Sequence, residues 1–335
     1  MTDTDRLQRR RRWFQAAFFL FFLVAPAMDL LRFDLHEAQL WVAGQRWTLG
    51  IDAFRAGQAT AAETALAMVL RGLLPALVLV VGFLAVAWRW GRLYCGWLCP
   101  HFSAVELLNG LLHRAIGKLS LWDRSPTRLP GITPQKRWWP VFALSCLILG
   151  FAWSITLVTY LLPPREIWGG LVTGTMTPNQ TRFLLIAWAV FTLEFAFARH
   201  LFCRFGCAVG LFQSLAWMAN PKGMVVSFSR DRAKECKTCG TEPLDRLRRS
   251  SPEGSAGLGA ALRPAPRGSA CDHACPMRLN PRNIKRMMFS CVQCGQCLQA
   301  CDASQGAQQR TPVLEWKVGL DAVRETLRQK REEHR

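Results

Sequence analysis

The stretch Leu66–Trp88, LAMVLRGLLPALVLVVGFLAVAW, decides the fold class. Its apolar residues form a block with no strand alternation and no amphipathic stripe, broken by one charge, Arg71. Such a block reads as a helix crossing a hydrocarbon core about 30 Å thick, which takes roughly 20 residues. Three further blocks follow the same pattern: Trp13–Leu31, Trp138–Leu162 and Phe183–Ala198. The last is short and can extend through Leu201-Phe202 towards Cys203. The expectation is a mainly α chain, a polytopic membrane bundle of about four spans.

Composition agrees. Half of the 335 residues are hydrophobic, yet the formal net charge is +19. A basic balance of that size points either to nucleic acid or to a membrane protein with arginine-rich cytoplasmic loops. The gathering of apolar residues into blocks favours membrane lipid as the partner and excludes nucleic acid. Orientation follows from the cations. Arg6 and the run Arg9–Arg12 form a basic N-terminal segment, residues 1–12. Arg89, Arg92, Arg114, Lys118, Arg124, Arg128, Lys136 and Arg137 lie between the second and third spans. The other two loops are poorer, with Arg32, Arg46 and Arg55 in one and Arg165 and Arg182 in the other, so both termini are expected in the cytoplasm. Trp88, Trp90, Trp138 and Trp139 fit an interfacial belt, and Arg71 is expected to snorkel. Ala25-Pro26-Ala27 resembles a signal-peptide cleavage site, an alternative that would leave the other spans unchanged.

The membrane part, residues 13–220, contains a repeat. Arg92-Leu93-Tyr94-Cys95-Gly96-Trp97-Leu98-Cys99-Pro100 has its counterpart in His200-Leu201-Phe202-Cys203-Arg204-Phe205-Gly206-Cys207-Ala208, 108 residues later. Each copy ends an outward-to-inward span, so two repeated hairpins bring Cys95, Cys99, Cys203 and Cys207 to one face, where four thiols can converge. That makes them a candidate redox or metal centre holding Fe, an Fe–S cluster or Cu, or cycling through disulfides. The plain alternative is that they are small buried residues; lone Cys146 reads that way. Glu194 is an intramembrane carboxylate and hence a candidate proton relay, together with His200 and His101. Arg199 and His200 could instead neutralise it as ion-pair partners.

From Pro221 the chain turns polar. Cys291-x2-Cys294-x2-Cys297-x3-Cys301 is the bacterial ferredoxin run, in which the fourth cysteine ligates the other cluster. A second, split run is present as Cys236-x2-Cys239 and Cys271-x3-Cys275-Pro276. The expected assignment puts Cys236, Cys239, Cys271 and Cys301 on one [4Fe–4S] cluster and Cys275, Cys291, Cys294 and Cys297 on the other. Zinc ribbons also use Cys-x2-Cys pairs, but eight cysteines ending in the full run favour iron–sulfur. Residues 221–310 are therefore read as a small α+β ferredoxin-like domain for two clusters, interrupted at 240–270 by a flexible insert rich in Gly, Ala, Pro, Ser and Arg. Residues 311–335 are read as a charged C-terminal helix lying in solvent or on the membrane surface.

The motif Gly91–Pro100, the pair Cys203/Cys207 and the cysteines ending in Cys301-Asp302 together resemble membrane-bound polyferredoxin-type 4Fe–4S proteins of the FixG/RdxA/CcoG kind and, more distantly, of the NapH/MauN kind and the C-terminal part of NosR. The resemblance covers most of the chain from the first span to Cys301. It implies electron transport at the bacterial cytoplasmic (inner) membrane, from quinol or a cytoplasmic reductant towards a respiratory enzyme. For the first group it implies reduction of cupric ion in service of oxidase assembly machinery. The sequence departs from the pattern at Ala208, which stands where a proline is expected, in the split first run, and in ending soon after the clusters.

Three functions are thus weighed. The first is a membrane-anchored carrier of single electrons between a cytoplasmic or quinol donor and a respiratory or metal acceptor. The second is a cupric reductase acting as an oxidase assembly factor, with the repeat thiols binding soft Cu(I). The third is an iron–sulfur redox sensor without catalytic flux.

Overall fold

The structure, a computed structural model, describes residues 2–122, 133–238 and 269–333. Cys239 and nearly all of the insert expected at 240–270 lie outside the described residues. The chain forms two compact units. One comprises Met1–Phe14, Ala87–Phe142 and His200–Arg335; the other comprises Gln15–Val86 and Ala143–Arg199. This division does not follow the expected boundary after Asn220, because the segments carrying both repeat motifs join the polar C-terminal region in one unit.

Among the described residues, three helices are long and apolar enough to cross a membrane: Ala61–Trp90, Trp138–Leu161 and Pro178–Ala198. Polar capping boxes start two of them. Glu63 N–H donates to the Thr60 hydroxyl while Thr60 N–H donates to the Glu63 carboxylate, and Gln180 and Thr177 repeat the arrangement, satisfying N–H groups that a helix start leaves bare. Ala61–Trp90 carries Pro75, whose ring cannot donate to the carbonyl of Arg71. The helix widens into a π-turn at Val69–Leu73 just before it, and the Trp47 indole donates to the orphaned Arg71 carbonyl at 2.8 Å. Along the same helix Leu77, Val78, Leu79, Val80 and Val81 are all at least half exposed. An apolar surface that continuous marks a contact surface, for a membrane or for another protein.

The fourth expected span is shorter than read. The helix Asp3–Ala27 stops before Leu31, which lies in a strand, and its apolar part of about 15 residues rises roughly 22 Å. The following stretch, assigned from sequence to a loop, is a three-stranded antiparallel sheet of Leu31–Asp34, Gln39–Val42 and Gln45–Trp47. Arg32 and Arg46 lie 5.0 and 5.4 Å from the Trp41 ring centroid. Ile155, Val158, Ile167 and Leu184 form the core of this unit.

In the other unit, Leu93–Trp97 is a single helical turn leading into Pro100–Ile116, and Phe202–Gly206 is a π-turn leading into Ala208–Ala219. Val225–Phe228 and Leu314–Lys317 form a two-stranded antiparallel sheet, flanked by Ala270–Ala274, Gln296–Gly306 and Leu320–Glu333. The tail is therefore neither solely a helix nor free in solvent. The alternation Leu314/Trp316 is that of a strand, and Ala322, Glu325 and Gln329 of the final helix are buried.

Candidate iron–sulfur centre

Both repeat motifs end in the same local geometry. Cys99 (φ −63°, ψ 117°) and Cys207 (φ −83°, ψ 108°) are extended N-cap residues. Their carbonyls accept the first helical N–H groups, from Ser103 at 3.1 Å and Leu211 at 3.0 Å. The Cys99 sulfur also receives the backbone N–H groups of His101 and Phe102, so it sits at the positive end of a helix dipole, where thiolate is favoured. Burial works the other way, raising Cys99 and pushing Cys95 up to about 12. The Gln213 amide lies 3.2 Å from the Cys95 sulfur. Cys99 and Cys207 are near enough to Cys95 to disfavour its ionisation, and Cys207 does the same to Cys99.

The cysteines of the polar region separate into two sets. Cys236, Cys271 and Cys301 line a small cavity with Phe228, Arg282 and Leu314; this is the first expected set apart from Cys239. Cys275, Cys291, Cys294 and Cys297 line a second small cavity with Val226 and Trp316. The exchange arises because Cys301 lies on the helix Gln296–Gly306, two turns from the loop that carries Cys291 and Cys294. That loop turns sharply, with Gln293 at φ 52° and Gly295 at φ 72°. Burial pushes Cys271 and Cys294 up to about 12 and raises Cys275, Cys291 and Cys297. Buried neutral thiols without disulfides suit a soft cation, whose charge deprotonates them on binding.

The first repeat and the second cavity touch directly. A Cβ on Gly96 would lie 2.1 Å from the Val292 carbonyl oxygen, so Gly96 allows the turn holding Cys95 to press against the loop of Cys291 and Cys294. Trp97 Nε1 donates to the Gln293 carbonyl at 3.1 Å, and Cys95, Cys99 and Cys203 pack in one apolar cluster with Cys275, Cys291 and Cys294.

Two buried arginines complete the site, and sequence reading counted both only as topogenic charge. Arg11, fully buried, forks onto Glu106 with Nη1 at 2.8 Å and Nη2 at 2.5 Å, donates to the Gly96 carbonyl at 3.1 Å and to Gln8 at 2.9 Å. Gln8 in turn donates to the Cys294 carbonyl at 2.8 Å. Arg92, 2% exposed, donates through Nε to the Ser214 hydroxyl and through Nη1 to the Cys203 carbonyl at 2.9 Å.

Of the expected relay residues, His101 sits edge-on to Phe202 at 5.1 Å and His200 is buried, both in the unit of the thiols. Glu194 lies in the other unit, where it opens a π-turn Glu194–Ala198. Arg199 there has φ 38° and turns back to donate to the Ala196 carbonyl at 3.2 Å. Cys146 is buried in the helix Trp138–Leu161.

Residues 73–118 and 181–222 match the family described as 4Fe-4S binding domain, Fer4_5; these stretches enclose the two Cys-x3-Cys repeats. Protein RdxA of Cereibacter sphaeroides is 24% identical over 221 residues, 63% of this chain and 40% of that protein. Putative electron transport protein YccM of Escherichia coli is 21% identical over 236 residues, 68% of this chain and 53% of that protein. The chain spans about half the length of these curated relatives. No solved structure matches. Over these stretches the chain is similar to a 4Fe-4S binding domain, and more broadly to RdxA and to a putative electron transport protein.

Proposed function

We propose that this chain is a membrane-anchored carrier of single electrons, with two [4Fe–4S] clusters in its polar region and the repeat thiols as the next station. The observation that carries the reading is the direct packing of the Cys95 turn on the Cys291–Cys294 loop through Gly96. One cluster would be held by Cys275, Cys291, Cys294 and Cys297, the other by Cys236, Cys239, Cys271 and Cys301. Bound there, the clusters supply one-electron chemistry at potentials between roughly −700 and +450 mV. The thiols would hold them, Val226 and Trp316 line the second cavity, and Gln8, braced by Arg11, fixes its loop.

The full run Cys291-x2-Cys294-x2-Cys297-x3-Cys301 favours iron–sulfur over zinc. The likeness to a putative electron transport protein supports the carrier reading. The cations of the N-terminus and of the loop after Trp90 support an inner-membrane protein with cytoplasmic termini and clusters. Its donor would be a cytoplasmic reductant or quinol, and its acceptor a respiratory enzyme, its assembly machinery or a metal ion.

The test is a pair of double variants in anaerobically purified protein. C271S/C301S should remove about half of the bound iron and sulfide, and C275S/C294S the other half, leaving different electron paramagnetic resonance signals. Variants that leave all iron bound would overturn the ligand sets.

A further inference from the structure

We infer that Arg92 is a potential-setting residue: its guanidinium, held between the two repeats and tied through Ser214 to Phe289, two residues before Cys291, raises the reduction potential of the cluster on Cys275, Cys291, Cys294 and Cys297. The inference rests on the carrier reading and adds a residue that is not a ligand.

Three observations support it. First, the charge is buried and locked. Arg92 bonds the carbonyl of Cys203 and the hydroxyl of Ser214, both from the second repeat, and Ser214 donates to the Phe289 carbonyl at 2.6 Å, two residues before Cys291. The guanidinium carbon lies 5.8 Å from the Phe289 ring centroid. Gly210 makes the room, since a Cβ there would stand 2.9 Å from Nη1.

Second, the charge of Arg92 interacts with thiols. Those of Cys95, Cys207 and Cys203 come first and that of Cys291 after them, and among the described residues none of its hydrogen bonds or ion pairs is to a carboxylate. Arg11 provides the contrast. It also lies near Cys294, but its charge is matched by the two-pronged pair with Glu106. A buried cation without its own carboxylate costs several kcal/mol unless an anion nearby offsets it, and a thiolate-ligated cluster is such an anion.

Third, the repeat is asymmetric at this position. The residue matching Arg92 in the second copy is His200, so at this position a permanent charge is present in the first copy only, and it reaches across to the second. Adding one electron makes a cluster more negative by one unit, and a fixed cation in a low-dielectric site favours that state.

The experiment is a redox titration of the full chain in detergent, followed by electron paramagnetic resonance, with the wave of this cluster identified by its loss in C275S/C294S. R92Q should lower its reduction equilibrium at least tenfold, 59 mV for one electron, and leave the other cluster within threefold; R92K, which keeps the charge, should stay within threefold of wild type. R92Q with full iron and an unmoved wave would overturn the inference. Should R92Q not load iron, S214A decides. It releases Nε but keeps the charge, so a shift under threefold supports the inference and a tenfold shift, tracing the effect to packing, overturns it. Wild-type protein without iron or sulfide would instead defeat the carrier reading itself.

Discussion

Replacing Gly96 with alanine tests the junction between the repeat and the cluster loop with a single methyl group. That methyl would stand 2.1 Å from the Val292 carbonyl oxygen and 3.4 Å from the Cys294 backbone nitrogen. Real carbon contacts do not fall below 3.0 Å, so the two backbones must part by about 0.9 Å. No flexible side chain can yield, because both partners are backbone. Overpacking of this kind costs about 1–3 kcal/mol. The bonds that clamp the junction, Trp97 to Gln293, Arg11 to Gly96 and Gln8 to Cys294, would stretch with it, each worth about 1 kcal/mol net. A total near 3 kcal/mol corresponds to roughly 6–12 °C in melting temperature for a unit of this size. Tryptophan fluorescence in detergent, read beside iron content, measures it. G96A that melts with wild type and keeps all its iron would refute the direct packing of the Cys95 turn on the cluster loop.

Arg11→Met should destabilise the same unit by about 3–5 kcal/mol, since Glu106 would lose its buried cation; denaturant titration in detergent reads the change, and E106Q/R11M together should recover part of it. In protein stripped of iron, Cys271 and Cys294 hold their protons up to about 12 against an ordinary 9.0. Their contribution to stability is therefore complete below pH 9 and is lost as pH rises from 9 towards 12, because the unfolded chain releases protons first. Melting of the stripped protein should fall over that window, while the loaded protein, whose thiols carry metal, should not show the same loss. In the other unit, a Cβ on Gly150 would lie 2.4 Å from the Thr192 hydroxyl, so Gly150→Ala should cost about 1–3 kcal/mol by forcing apart two apolar helices that approach through small residues; detergent-phase melting checks it.

The apolar helices and the cysteine spacings were legible because each is a local pattern: block length for the first, the offsets of a ligand loop for the second. The repeat was legible for the same reason, and Cys99 and Cys207 share an N-cap geometry. What escaped reading depends on contacts far apart in sequence. Arg11 looked like one of four solvated arginines, yet its partner Glu106 lies 95 residues away. Arg92 looked topogenic until Ser214, 122 residues on, enclosed it. Gly96 was part of a motif, but its need to be glycine comes from Val292. The strand Leu314–Lys317 was hidden by the charged helix after it, although the alternation was present; the sheet Leu31–Trp47 lacked a strong turn signal. The second-repeat π-turn Phe202–Gly206 is a matter of backbone hydrogen bonding that side-chain periodicity does not report.

The two-cluster assignment is tested most directly by the metal content of the wild-type chain, purified anaerobically in detergent and assayed for iron, acid-labile sulfide, copper and zinc. Two clusters require close to eight iron and eight sulfide per chain, about four of each per cubane, with interacting paramagnetic signals on reduction. Zinc without sulfide would contradict the account and leave the eight polar-region cysteines as ligands of a structural ion.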